Sequence, residues 1–208
     1  MVDLKKRLAV LVSGSGTNLQ AIIDAIKTSS LKNTEISIVI SNKKDAFALK
    51  RAEKEGIKNI FLNPKDFADD LEFDKKLIEI ISNYEVDLVI LAGYLKILTD
   101  AFVNAFPNKI INIHPALLPN FGGEGMYGRY VHEAVLKSGA KESGCTAHFV
   151  TSKVDAGPII AQKKVPVLEG DTVDSLSKRI LIEEHKLLID SIKKVLFSRD
   201  AVNRVSTI

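Results

Sequence analysis

Short apolar runs alternate along the chain with segments whose apolar residues recur at helical spacing. Leu8 to Val12 is a continuous apolar run typical of a buried strand, and the apolar positions of 19–26 follow at intervals of three and four residues. The same alternation predicts strands over 36–40, 60–62, 88–91 and 109–114, and helices over 46–55, 73–84 and 101–106. Alternating strands and helices of this length predict an α/β protein with a mostly parallel twisted sheet and helices on both faces.

The pattern changes after Pro115. Four of the twelve glycines lie within 121–128, which predicts a long loop there. The remaining predicted elements are a helix over 130–137, strands over 145–151 and 159–167, and a long helix from about Thr172, its cap, to 197. No linker or internal repeat divides the chain, so we expect a single domain over 1–199 and a frayed tail over 200–208.

The composition is that of a compact globular protein. Its 208 residues are 46% hydrophobic and 26% charged, and the net charge of +3 is scattered, without the basic patch typical of nucleic-acid binding. The single cysteine, Cys145, is expected to be buried and inert, and no Cys/His cluster has metal-site spacing. Five apolar residues at 8–12 are too few for a secretory signal, and no apolar run could span a membrane. We therefore expect a cytoplasmic protein with no metal, nucleic-acid partner or membrane segment.

The loop after the first strand is rich in glycine and small polar residues. Gly14 and Gly16 allow a tight turn, and the amides at the start of the next helix favour an anion. A dinucleotide fingerprint would need Gly or Ala where Leu19 stands and an acidic residue after the second strand, and a P-loop would need a lysine after Gly16. Two interpretations remain: a monophosphate held by amides and the polar side chains of 15–18, or a plain turn with Asn18 as a helix cap.

A second candidate site lies at the end of the strand predicted over 109–114. Residues two apart in a strand share a face, so Asn112 and His114 point the same way, and Pro115 ends the strand. The carboxyl end of a buried parallel strand is where open α/β sheets bind ligands. An amide beside an imidazole suits a developing oxyanion. The alternative is a histidine and an asparagine that only satisfy nearby backbone groups.

Asp155 lies in a turn fixed by the Gly-Pro pair that follows it. A carboxylate near His114 would raise the pKa of the imidazole and fix its tautomer. The alternative is a turn in which Asp155 bonds its own backbone. The other histidines, His132, His148 and His185, are interpreted as structural.

Four segments together resemble a known family. The residues of Ser13–Gln20, Leu91–Leu98, Asn112–Pro119 and Asp155–Pro158 closely resemble those of the phosphoribosylglycinamide formyltransferases of de novo purine synthesis. Asn-x-His-Pro-x-Leu-Leu-Pro with a downstream Asp-x-Gly-Pro is shared by folate-dependent formyltransferases and formyltetrahydrofolate hydrolases. The glycine loop and the length favour the first family, because transfer-RNA formyltransferases carry an extra C-terminal domain and the hydrolases an N-terminal one.

The resemblance implies a Rossmann-like formyltransferase fold that moves a formyl group from 10-formyltetrahydrofolate to the amine of glycinamide ribonucleotide, without a metal. It implies one residue set for each part of the site: Gly16, Thr17, Asn18 and Glu184 for the ribonucleotide phosphate and ribose; Leu95, Lys96, Ile97, Leu98 and Asn112 for the folate; Asn112, His114 and Asp155 for catalysis. In this hypothesis Asn112 and a protonated His114 stabilise the oxyanion, and Asp155 keeps His114 charged.

The chain departs from the family pattern at two places. Asp70 stands where a family arginine contacts the folate, which leaves Lys96 or another lysine for the folate tail, and the loop at 121–128 is longer and richer in glycine than usual. Two other functions stay open: a hydrolase in which water replaces the amine, and a noncatalytic nucleotide-binding module that uses the glycine loop alone. A monomer and a homodimer are both compatible with the sequence.

Overall fold

A computed structural model of the chain describes residues 5–197. Seven strands are present in this range: β1 Lys6–Val12, β2 Thr34–Ser41, β3 Asn59–Phe61, β4 Leu88–Leu91, β5 Ile110–His114, β6 Glu142–Phe149 and β7 Ile159–Pro166. The α-helices are α1 Thr17–Lys27, α2 Phe47–Lys54, α3 Asp70–Ser82, α4 Asp100–Ala105, α5 Arg129–Ser138 and α6 Val173–Phe197, and a 3-10 turn covers Pro64–Asp66.

The strands form one sheet in the order β3-β2-β1-β4-β5-β6-β7. The first five are parallel, while β6 and β7 are antiparallel to their neighbours. The chain therefore crosses over after β3 from one side of β1 to the other, and the loops that follow β1 and β4 open at the same sheet edge. This reversal of strand order is where α/β sheets form a ligand crevice.

The strand β1 is buried on both faces, which explains its continuous apolar sequence. On one face Leu8 and Val10 belong to a core built with α1, α2, α5 and α6. On the other face Ala9 and Leu11 pack in a second core with α3 and α4. The helices thus cover both faces, as the alternating pattern predicted.

Most predicted element boundaries lie within three residues of the observed ones. The helix α3 begins three residues early because the Asp69 side chain accepts a hydrogen bond from the Glu72 amide and caps it. Thr172 caps α6 as predicted, accepting from the Ser175 amide at 3.1 Å. The predicted tail over 200–208 lies outside the described residues. Among residues 5–197, the helices are too short or too polar to cross a bilayer.

Candidate active site

A cavity of about 690 Å³ opens at the carboxyl ends of β1, β4 and β5. This volume suits one or two small-molecule ligands. Its lining includes nearly all of the predicted site residues, and Gly16 is the one of them that it lacks. The lining includes Thr17, Asn18 and Glu184 at one end, Asn112, His114 and Asp155 in the middle, and Leu95, Lys96, Ile97 and Leu98 at the other.

The glycine loop turns directly into α1 at Gly16. This residue has φ of 71°, and a Cβ there would lie 2.6 Å from Cβ of Ala48. Both the left-handed backbone and the close approach to α2 therefore require glycine. Thr17 and Asn18 begin the helix, so their amides have no acceptor within it and give the loop its positive end.

Asn18 and Glu184 meet at this end of the cavity. Nδ2 of Asn18 donates to Oε2 of Glu184 at 3.1 Å, although 166 residues separate them. Because Gly16 is the N-cap of α1 and Asn18 bonds to α6, the plain helix-cap interpretation of Asn18 is wrong. Burial raises the pKa of the Glu184 carboxyl to about 6, against the lowering effect of the Asn18 bond.

Asn112 and His114 project into the cavity from the last residues of β5, as the alternation predicted. The ring of His114 is buried, and its Nε2 lies 2.8 Å from the carbonyl oxygen of Phe121 in the glycine-rich loop. A carbonyl can only accept, so Nε2 carries a proton. The other ring nitrogen, Nδ1, lies 3.4 Å from Oδ2 of Asp155.

Asp155 reaches His114 from the turn between β6 and β7. Its φ is 52°, and a Cβ at the nearby Gly157 would lie 1.9 Å from the Phe149 carbonyl oxygen, so the turn depends on that glycine. Oδ2 also accepts from the Gly123 amide at 3.0 Å. The carboxylate thus contacts both the imidazole and the loop that covers it, which goes beyond the simple turn considered above.

His148 is a site residue that the sequence interpretation missed. It lies opposite Asn112 in the antiparallel pairing of β5 and β6. Its Nδ1 is 2.9 Å from the Phe149 carbonyl, so Nδ1 carries the proton and Nε2 accepts from Nδ2 of Asn112 at 3.1 Å. Nδ2 of Asn112 is also 3.5 Å from Oδ1 of Asp155, a long contact that leaves its second proton weakly held.

The protonation of His114 differs from the expectation. We expected Asp155 to keep the imidazole charged, but burial lowers the pKa of His114 by more than Asp155 and the Phe121 carbonyl raise it. This lowered pKa favours the uncharged imidazole at neutral pH. Burial alone would raise the pKa of Asp155, yet His148, His114 and the Gly123 amide together hold it below its usual range. The carboxylate is ionised, and the imidazole beside it is uncharged and able to accept a proton.

The segment 95–98 forms the opposite wall of the cavity. Leu95 and Ile97 expose about half of their side chains, 51% and 52%, although both are apolar. The amide of Leu95 is not free for a ligand, because it donates to Oγ of Ser13 at 2.9 Å. Oγ of Ser13 in turn donates to Oδ1 of Asn42 at 2.6 Å, and the backbone amide of Ser13 donates to the Gly93 carbonyl at 3.1 Å. Ser13 therefore joins the glycine loop, the residue that follows β2 and the segment 95–98.

Lys96 lies beside the residue at which the chain departs from the family pattern. Its Nζ pairs with Oδ1 of Asp70 and lies 5.2 Å from the centroid of the Phe73 ring. Lys96 is largely covered and Asp70 largely exposed. The ammonium group that was expected to bind the folate tail is thus already paired with the carboxylate of Asp70.

Comparison with known proteins identifies the family of this chain. Residues 6–192 match a family described as formyl transferase. The chain belongs to the formyl transferase family. Phosphoribosylglycinamide formyltransferase of Escherichia coli (strain K12) is 43% identical to this formyl transferase over 180 residues, which are 86% of this chain and 82% of the relative. The chloroplastic phosphoribosylglycinamide formyltransferase of Arabidopsis thaliana is 43% identical over 196 residues, which are 94% of this chain and 67% of the relative.

Other relatives are longer, and the fold is shared with solved structures. The trifunctional purine biosynthetic protein adenosine-3 of Homo sapiens is 44% identical over 183 residues, and the chain spans 18% of its length. Glycinamide ribonucleotide transformylase 1 from Symbiobacterium toebii is 44% identical with a TM-score of 0.86, over 92% of this chain and 87% of that one. The Rossmann-like α/β formyl transferase fold and the resemblance seen in the sequence are therefore confirmed. The roles of individual residues stay predictions.

Proposed function

We infer that this formyl transferase moves the formyl group of 10-formyltetrahydrofolate to the amine of glycinamide ribonucleotide, a step of de novo purine synthesis. The observation that carries this assignment is the position of Asn112, His114 and Asp155 between two unlike ends of one cavity. One end offers amides to an anion, and the other offers exposed apolar side chains. A reaction that moves a formyl group from a folate to a sugar phosphate would use these two ends for its two substrates.

The ribonucleotide fits the end formed by α1 and α6. Its phosphate would bind the amides of Gly16, Thr17 and Asn18, where the helix N-terminus favours negative charge. Its ribose hydroxyls would donate to Oε1 of Glu184, because Asn18 bonds to the other carboxylate oxygen, Oε2. The length of the cavity then leaves the amine near His114.

The folate fits the end formed by the segment 95–98. The exposed apolar side chains of Leu95 and Ile97 would cover its ring system, and the backbone of Lys96 to Leu98, together with Asn112, would bind its polar edge. Burial of such surface contributes about 25 cal/mol per Å². The charged tail of the folate would reach Lys96 at the mouth of the cavity.

The chemistry follows from charge that appears at one atom. The neutral amine attacks the formyl carbon, a nitrogen–carbon bond forms, and the carbonyl electron pair moves onto oxygen. Asn112 offers its weakly held N–H to this oxyanion. As the negative charge develops, His114 takes up a proton from water beside Asp155, and the charged imidazole stabilises the oxyanion until the adduct collapses and the proton returns to water.

Collapse of this adduct completes the transfer. A proton passes from the attacking nitrogen to N10 of the folate through water ordered by Asp155, and the bond between the formyl carbon and N10 breaks. The products are formylglycinamide ribonucleotide and tetrahydrofolate. Asp155 stays ionised and stabilises the imidazole while it carries a charge.

The test is an assay of purified protein with both substrates that follows deformylated folate with and without the ribonucleotide. Formation of product only when the ribonucleotide is present supports the transferase. Folate deformylation at a comparable rate without it would establish the hydrolase instead. Ligand binding without any formyl product, unaffected by His114→Ala, would establish the noncatalytic nucleotide-binding module.

A further inference from the structure

The anion end of the cavity is poor in positive side chains. Of the described residues that line the cavity, Lys96 alone is a lysine or an arginine, and it lies at the folate end. A buried carboxyl group, Glu184, stands at the anion end instead. A phosphate there must be held mainly by backbone amides, so the direction of those amides decides whether it binds.

The helix α2 contacts the glycine loop from behind. The Ala48 amide donates to the Gly14 carbonyl at 3.1 Å, and Nε of Arg51 donates to the Ser15 carbonyl at 2.8 Å. Gly16 packs directly against Ala48. Two consecutive carbonyl groups of the loop therefore point toward α2.

Because of peptide geometry, these contacts determine the direction of the loop amides. In a planar trans peptide the carbonyl of one residue and the amide of the next point in opposite directions. When the Gly14 and Ser15 carbonyls face α2, the Ser15 and Gly16 amides face away from it, on the side of the phosphate. The hydrogen bond from Arg51 to the Ser15 carbonyl thus fixes the direction of the Gly16 amide, next to the start of α1.

The guanidinium group of Arg51 is itself fixed at two further points. Its Nη1 donates to Oε1 of Gln20 on α1 at 3.0 Å, and its Cζ lies 5.0 Å from the centroid of the Phe47 ring. A planar group held by two acceptors and a ring keeps one orientation, which a lysine cannot reproduce. Its positive charge also lies just behind a loop that must attract an anion.

We propose that Arg51 is a positioning residue for the ribonucleotide phosphate, acting through the Ser15 carbonyl and without touching the substrate. This inference rests on the proposed function. It assigns to α2, which does not line the cavity, a role in substrate affinity. The folate end, whose lining includes no residue of α2, should be independent of it.

The test compares Arg51→Ala and Arg51→Lys with wild-type protein and with Lys50→Ala, an exposed neighbour on the same helix. Steady-state assays give kcat and the two KM values, and competition against the ribonucleotide gives the inhibition constant of inorganic phosphate. Loss of a charge-assisted bond should raise the ribonucleotide KM and the phosphate inhibition constant of Arg51→Ala about tenfold. The folate KM and the melting temperature should stay near wild type, and Arg51→Lys should recover part of the loss.

Several results would overturn the proposal. An unchanged ribonucleotide KM in Arg51→Ala would do so, as would an equal rise of both KM values, a loss of kcat alone, or the same loss in Lys50→Ala. If wild-type protein makes no formylated product, the proposed function fails by itself. Thermal stabilisation by inorganic phosphate then decides about Arg51: stabilisation of wild type but not of Arg51→Ala supports the positioning role, and equal stabilisation refutes it.

Discussion

Replacing Glu184 by Gln should stabilise the protein at neutral pH while weakening substrate binding. The carboxyl group is almost completely buried, and burial raises its pKa from an ordinary 4.5 to about 6. At pH 7.5 the folded protein therefore holds a buried charge that the unfolded chain would hydrate freely. The difference between these pKa values corresponds to about 2 kcal/mol. The glutamine keeps the shape and an oxygen that can accept from Asn18.

The direction of the pH dependence is fixed by the sign of this shift. A carboxyl whose pKa is raised on folding stabilises the protein below its unfolded pKa, and that contribution is lost as pH rises through about 6. The wild type should lose about 2 kcal/mol from this residue between pH 4 and pH 7.5, and Glu184→Gln should not. Urea unfolding of both proteins across this range measures the difference, and the ribonucleotide KM measures the function.

The adjacent Glu183 is the matched control. A hydrogen bond from Lys186 holds the pKa of Glu183 below its usual value, so Glu183→Gln should change the pH dependence of stability weakly and in the opposite direction. A stability difference between wild type and Glu184→Gln that stays constant from pH 4 to pH 7.5 would refute the reasoning. An unchanged ribonucleotide KM would remove Glu184 from the ribose site.

Three other predictions test the rest of the cavity. His114→Ala and Asp155→Asn should each lower kcat by about 10²- to 10³-fold with little change in the ribonucleotide KM, and near-wild-type turnover in both would contradict the catalytic assignment. Gly16→Ala should destabilise the protein by about 1–3 kcal/mol and raise the ribonucleotide KM more than the folate KM, because the new Cβ would lie 2.6 Å from Ala48 at a φ of 71°. Its control, Gly14→Ala, meets no atom within 4 Å, and equal unfolding free energies for the two variants would argue against the steric reason. Asp70→Asn should free Lys96 and lower the KM for a folate with a carboxylate tail, less so at high salt, and a KM that stays the same at low salt would show that Lys96 does not bind the tail.

The parts of the site that the sequence predicted depend on short-range geometry. Asn112 and His114 share a face because strand side chains alternate, and the glycine loop lies at a helix start because the apolar spacing changes there. Such features need only a few neighbouring residues. The placement of Glu184 came from family resemblance, since a glutamate on a long helix is ordinarily exposed.

The parts that the sequence did not reveal depend on distant pairing and on burial. His148 joins the site through its register opposite Asn112, which no pattern within β6 specifies. Arg51 reaches Ser15 across 36 residues and two elements. Burial of the ring lowers the pKa of His114, so the nearby carboxylate alone suggested the wrong direction.

Ser13 has a consequence for how the two substrates meet. One buried hydroxyl, with the amide of the same residue, fastens the start of the glycine loop to the backbone of residues 93–95. The spacing between the proposed phosphate end and the proposed folate end of the cavity is thereby fixed by backbone contacts just beyond β1 and β4. A ligand that bridges both ends should gain from this fixed spacing, and its affinity should depend sharply on the length of its linker.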